Sequence, residues 1–353
     1  WGASLILTFA STSSGNTITT NGYSFACGCT FNGVGGEWTL QDNLTIASTR
    51  TLTLTNGSIN LNNNTLTGGL FSSNVTNARN ISFGTGKIVL SGNATTVWNV
   101  SSVSLTVSGS RRVEFNYSGS TGTRTINLMA TVNETNALDF YITDGTDTVT
   151  STGSVRNARN LDFTGFAGTY TLATTGNTTI FGDLTLASGM TLTAANVGFT
   201  FAKSSGTQTV TTNGKTLDMP VTVSTTGATV AFADALTIGA TKTLTLTSTA
   251  VKFSAGSTNT AGTFAIAGSP SISIGSSIPG TQFTLSQASG TVSASNMTIS
   301  DCIAAGGATW NAFTDQGNVD AGNVDGWDFG ISPVVGATEY TYRIRSFTQP
   351  RRF

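Results

Sequence analysis

The chain has 353 residues, 16 basic and 17 acidic, a formal net charge of −1 and no histidine. Charged residues are 9% of it, against about a quarter in an average globular protein. That balance gives no long-range field to steer the chain to nucleic acid or an anionic membrane, and without imidazole the Ser-His-Asp and Cys-His mechanisms, the usual neutral-pH base and the commonest metal ligand are excluded.

Thr, Ser, Gly and Asn replace the missing charge, and the 38% apolar content is too high for disorder. No window holds the roughly 18–20 uninterrupted apolar residues of a membrane span, so no membrane insertion is expected. The opening Trp1-Gly2-Ala3-Ser4 lacks an initiator Met and a basic signal start, and reads as a processed chain or a segment of something longer. Cys27, Cys29 and Cys302 are too few, and odd in number, for a disulfide framework. Cys27 and Cys29, one residue apart on an expected strand, would share a face and be poorly placed to bridge. All three read as reduced, mostly buried small hydrophobes, consistent with assembly in a reducing compartment.

Taken in order, the chain shows short alternating runs: Leu44-Thr45-Ile46, Leu52-Thr53-Leu54, Ile88-Val89-Leu90, Leu105-Thr106-Val107, Leu184-Thr185-Leu186, Val221-Thr222-Val223, Leu236-Thr237-Ile238, Leu244-Thr245-Leu246, Ile272-Ser273-Ile274 and Met297-Thr298-Ile299. Alternation of apolar and β-branched polar residues predicts strands with one buried face. Asn21-Gly22, Asn56-Gly57, Ser91-Gly92, Asn213-Gly214 and Ser289-Gly290 supply the positive φ that tight corners need.

The stretch from Thr8 to Thr55 occurs twice, without a gap, at a shift of 192 (200 − 8): Thr8-Phe9-Ala10 returns as Thr200-Phe201-Ala202, Thr19-Thr20-Asn21-Gly22 as Thr211-Thr212-Asn213-Gly214, and Thr51-Leu52-Thr53-Leu54-Thr55 as Thr243-Leu244-Thr245-Leu246-Thr247. A second phrase, Asn77 to Phe83, returns at Asn157 to Phe163, a shift of 80 (157 − 77). Strands every seven or eight residues make coils of roughly 20–25, within the solenoid range. Duplication within a continuous strand series suits stacked coils better than a hairpin sandwich. The expected fold is all-β, an elongated parallel β-helix with a C-terminal extended arm; tandem β-sandwiches are the alternative. Asn at equivalent corners of successive coils is expected to form amide ladders. The segments read as 1–107, a first solenoid segment; 108–199, an irregular middle segment that continues the solenoid; 200–330, the duplicated solenoid segment with its C-terminal cap; and 331–353, a basic extended docking arm.

In the middle segment Arg111-Arg112-Val113-Glu114-Phe115 and Leu138-Asp139-Phe140-Tyr141-Ile142 carry more charge and aromatics than their surroundings, and read as an inserted loop, an irregular coil or a subunit contact. Trp310, Trp327 and Phe329 are the candidates to cover the open solenoid end. In the arm, Tyr340, Tyr342 and Ile344 share one strand face, Thr341, Arg343 and Arg345 the other, before the closing Arg351-Arg352-Phe353. Tyr340, Tyr342, Arg343, Ile344, Arg345, Arg351, Arg352 and Phe353 are the expected partner-docking residues.

The phrases Phe31 to Leu40 and Ser48 to Gly57 resemble solenoid proteins encoded by bacteriophages and environmental bacteria. Gly307-Ala308-Thr309-Trp310 followed by Asp325-Gly326-Trp327-Asp328-Phe329 is similar to the ends of their β-helical regions. The resemblance spans most of 8–329, carries no catalytic signature, and implies a virion fibre, spike or decoration protein, or a surface adhesin.

Asp144-Gly145-Thr146-Asp147 offers two carboxylates across a turn, and Asp315, Asp320, Asp325 and Asp328 gather near the cap; turn chemistry accounts for both without an ion. Glu114 with Asp139, or Asp144 with Asp147, are the acid pairs available for histidine-free glycoside cleavage. The Asn-X-Ser/Thr sequons, among them Asn43, Asn74, Asn80, Asn93, Asn133, Asn177 and Asn296, are incidental in so Asn- and Thr-rich a chain. No phosphate-binding loop is present, and no cofactor or metal is expected. The reading is a non-enzymatic virion protein on the virion surface, assembled in a host cytoplasm with other virion subunits (capsid or tail) as a homo-oligomer. The alternatives are a bacterial cell-surface adhesin binding host surface glycans and a polysaccharide depolymerase.

Overall fold

The structure, a computed structural model, describes residues 5–93, 95–129, 133–153, 155–172, 175–193 and 196–333. Strands account for 54% of it and helix for 1%, and the chain winds into a parallel β-solenoid of about 14 coils. The expected β-helix is what forms. Sandwiches need antiparallel hairpin pairing, whereas here the strand ladders run parallel from coil to coil.

Each coil has three faces. On face one, Ile6–Phe9 pairs with Gly28–Leu40, and the stack continues through Thr51–Asn60, Leu70–Ser73, Thr96–Val100, Thr123–Asn127, Thr148–Thr152 and Thr169–Thr171 to Thr191–Thr193. Face three runs from Ser24–Phe25 through Leu44–Ile46, Thr65–Gly68, Lys87–Leu90, Arg112–Phe115, Asp139–Ile142, Leu161–Asp162 and Leu184–Thr185 to Thr207–Thr211. Alternation decides what points inward. In Thr51–Asn60, Leu52, Leu54 and Ile59 are buried while Thr51, Thr53 and Ser58 are half-exposed. Interior rings then stack along the axis: Phe232 on Phe253 (centroids 5.1 Å apart) and Phe253 on Phe283 (4.9 Å), an offset arrangement that adds to the burial of each ring.

The duplication reproduces the pairing residue for residue. Cys29↔Leu52 and Phe31↔Leu54 return as Val221↔Leu244 and Val223↔Leu246. The corner returns too: Asn21 and Asn213 both have φ 50°, followed by Gly22 at 79° and Gly214 at 75°. At the first corner the Thr20 amide donates to Asp42 Oδ1 at 2.8 Å and its hydroxyl to Oδ2 at 3.1 Å. At the second, Thr212 does the same to Asp234 at 2.9 and 3.0 Å. The Thr20 amide, and then its hydroxyl, hold the Asp42 carboxyl below its usual range.

The two copies nevertheless occupy different faces. Phe9 lies on face one, and eight coil-to-coil steps lead from its strand to Thr191–Thr193; Phe201 lies one side further on, in the stack of Thr178–Ile180 and Val221–Phe232. Ile18 pairs with Leu40 on face two, but its counterpart Val210 stands on face three, in register with Leu184. The shift of 192 residues is therefore eight and one third coils, or about 23 residues per coil. The shift of 80 behaves alike, since Ile81 is on face two and Leu161 on face three.

This phase corrects the expected amide ladder. Repeated asparagines sit on different faces and do not stack on one another; Asn56 Nδ2 to Asn32 Oδ1 (2.7 Å) is a single amide pair. Corner asparagines instead take the place of the ladder where it breaks, binding the amide of the adjacent coil. Thr65 donates to Asn43 Oδ1 (2.9 Å), Thr85 to Asn63 (2.9 Å), Asp183 to Asn160 (2.7 Å), and Gly198 to Asn177 (2.9 Å). Buried amides need such partners.

Phe253→Ala is expected to cost about 3–5 kcal/mol, read as a fall in the urea midpoint. An unchanged midpoint would mean that the Phe232–Phe253–Phe283 column is not packed.

Candidate functional site

The docking residues Tyr340, Tyr342, Arg343, Ile344, Arg345, Arg351, Arg352 and Phe353 lie outside the described residues. What the structure places is the surface of the solenoid.

Its densest charge is on face three. The segment expected to be irregular supplies regular strands here, Arg112–Phe115 and Asp139–Ile142 pairing in parallel register. Because Val113, Phe115, Phe140 and Ile142 point inward, Arg112, Glu114, Asp139 and Tyr141 share the outer side, beside Lys87. Glu114 receives Lys87 Nζ at 2.9 Å and Arg112 Nε at 2.6 Å. Asp139 receives Arg159 Nε at 2.6 Å, and that hydrogen bond holds the Arg159 guanidinium above its usual range. Arg112 lies over the Tyr141 ring at 3.9 Å, and burial, then Asp139, raise the Tyr141 phenol. Glu114 and Asp139, the acids considered for glycoside cleavage, are thus both buried and held by cations. Both carboxylates of the patch are ion-paired, Glu114 with Lys87 and Arg112 and Asp139 with Arg159.

The second acid pair separates. Asp147 turns inward and takes a bidentate bond from Arg124, Nε to Oδ2 at 2.7 Å and Nη2 to Oδ1 at 2.8 Å, with side-chain exposures of 1% for Arg124 and 0% for Asp147. Asp144 accepts its own turn amide, Gly145 N, at 2.7 Å. At the cap, Asp315 is bonded by Ser332, Asp320 by Gly322, Asp325 by Gln282 and Asp328 by Gly330. Among the described residues no three metal-ligating side chains converge. Trp310, buried, packs on Phe264 (5.5 Å) and edge-on to Trp327 (4.9 Å), with Phe329 against the same core.

Arg79 and Arg156 are interior cations that the sequence reading passed over. Arg79 donates to Ser73 Oγ at 2.7 Å, and Arg156 to the Gly153 and Thr175 carbonyls at 2.8 and 2.7 Å. Burial lowers both guanidinium pKa values. The signal was available for Arg124, which alternates in phase with buried Ile126. The three cysteines are free thiols. Cys29 is interior, while Cys27 is half-buried in the bend before Gly28–Leu40, so the two do not share a strand face. Burial pushes the Cys29 and Cys302 thiols up to about 12.

Face one carries a feature of another kind. Thr123, Thr148, Thr169 and Thr191 stand in one column, and Thr125, Thr150, Thr171 and Thr193 in a second, extended by Thr96. The residues between, Arg124, Val149, Tyr170 and Leu192, face the core, so both columns project outward from four successive coils. Alternation is the signal that could have marked each threonine as a half-wet strand position; their registration across coils has no local signal.

No family model, curated protein or solved structure matches the chain.

Arg124→Ala, which leaves the Asp147 carboxylate buried and unpaired, is expected to cost about 3–5 kcal/mol, whereas Arg124→Met with Asp147→Leu regains most of it. Chemical denaturation of the two variants checks this. A single variant as stable as the parent would place the pair in solvent.

Proposed function

We propose that the chain is a non-enzymatic structural protein of a virus particle: a fibre, spike or capsid-decoration protein that holds a rigid β-solenoid outward on the virion surface. It assembles with other virion subunits through the basic segment 334–353. The observation that carries this reading is where the aromatic side chains go. Nearly all line the interior or cover its end, and Tyr23, 76% exposed, is the one strongly exposed aromatic among the described residues. A glycan-binding flank uses exposed aromatic platforms, so this distribution favours a scaffold over an adhesin. The ion-paired acids of face three and the Arg124–Asp147 bond offer no facing carboxyl pair for a depolymerase. The three free thiols, two of them buried, agree with assembly in a reducing cytoplasm.

Immunogold labelling of a producing culture is expected to decorate virions, and a chain lacking residues 334–353 is expected to fold but fail to join them. Label confined to cell envelopes would overturn the virion reading; truncated chain still on particles would overturn the role of the arm.

A further inference from the structure

The threonine field of face one is a two-dimensional lattice. By strand geometry its columns repeat about 4.8 Å from coil to coil and about 6.7 Å along each strand. Eight threonines fill four coils without interruption, and no charged side chain projects from Thr123–Asn127, Thr148–Thr152, Thr169–Thr171 or Thr191–Thr193, since Arg124 points into the core. The hydroxyls are largely uncommitted. Thr171 and Thr193 bond each other at 2.8 Å, and Thr193 reaches the Tyr170 carbonyl at 3.3 Å. Those of Thr123, Thr125, Thr148, Thr150, Thr169 and Thr191 bond no other described residue.

From this we propose that face one between Thr123 and Thr193 binds ice. Each threonine presents one group that both donates and accepts, and one methyl. Its branched Cβ restricts χ1, and the ladder below fixes the Cα positions, so little freedom is lost on binding. A ligand that exploits two fixed repeats at once must itself repeat in two dimensions, without charge, through hydroxyl-sized donors and acceptors. Crystalline water does so: the prism faces of hexagonal ice expose oxygens at repeats of this size. Each contact is weak, but all engage together, and simultaneous engagement multiplies affinity. The field has no exposed aromatic for stacking on a sugar ring, which favours ice over a crystalline polysaccharide.

The neighbouring face provides an internal control. Thr179, Thr200, Thr222 and Thr245 form one column there, but the positions two residues earlier are Asn177, Gly198, Pro220 and Thr243. One column without a second makes no lattice.

The test uses the purified full chain, fluorescently labelled, in ice-affinity partitioning and ice-recrystallisation assays, with far-UV spectra confirming each fold. The parent is expected to enter the ice and suppress recrystallisation. Thr150→Lys, or Thr169→Lys if the first does not fold, is expected to reduce that activity on the order of tenfold or more, while Thr222→Lys keeps it. Exclusion of the parent from ice, or equal loss in Thr222→Lys, overturns the proposal. So does a parent that ignores ice but sediments with cellulose or chitin through the same threonines.

Discussion

The backbone ladder between successive coils is the interaction on which this molecule depends. In a parallel stack the N–H and C=O groups of each face point along the axis, and their partners are on the coils above and below, about 23 residues away. Buried amides left unpaired are costly, so each coil requires its neighbours and the chain cannot be divided into faces that fold alone. The side chains are thereby freed from specifying the fold by shape. They have only to alternate.

Much of the composition follows. Threonine suits the outer positions because its branched Cβ favours extended backbone, and few charges are needed where the ladder supplies the specificity. Asn and Asp collect at corners, where the backbone turns away from its partner and a side-chain oxygen must stand in, as Asn43, Asn63 and Asn160 do. Interior guanidiniums require more. Arg124 is matched by Asp147, whereas Arg79 and Arg156 are bounded by hydroxyls and carbonyls. A buried cation without a carboxylate is tolerated only with such dense hydrogen bonding.

The parallel coils were legible from alternation and the gapless duplication, and the aromatic cap from Trp310, Trp327 and Phe329. The phase of the duplication was not. A shift of 192 residues says nothing of coil length until the ladders show Phe9 on face one and Phe201 on face two, and the expected asparagine ladder fell with that. The inward turn of Asp147 escaped because a local Asp-Gly-Thr-Asp run looks like an exposed turn, and its partner is 23 residues away on another coil. The threonine field was hidden for the same reason: Thr123, Thr148, Thr169 and Thr191 come 25, 21 and 22 residues apart (148 − 123, 169 − 148, 191 − 169), and only the register lines them up. Long-range register, rather than local preference, is what a single sequence conceals here.

The displacement of the second copy by one third of a coil is the most specific consequence of this architecture, and a cross-link measures it. Thr211, the counterpart of Thr19, faces Thr185 in the face-three ladder. With the native cysteines replaced, Thr185→Cys and Thr211→Cys are expected to form an intramolecular disulfide under mild oxidation, in a chain that keeps its β spectrum. If the folded chain forms none, Thr211 lies on another face and the coil phase described here is wrong.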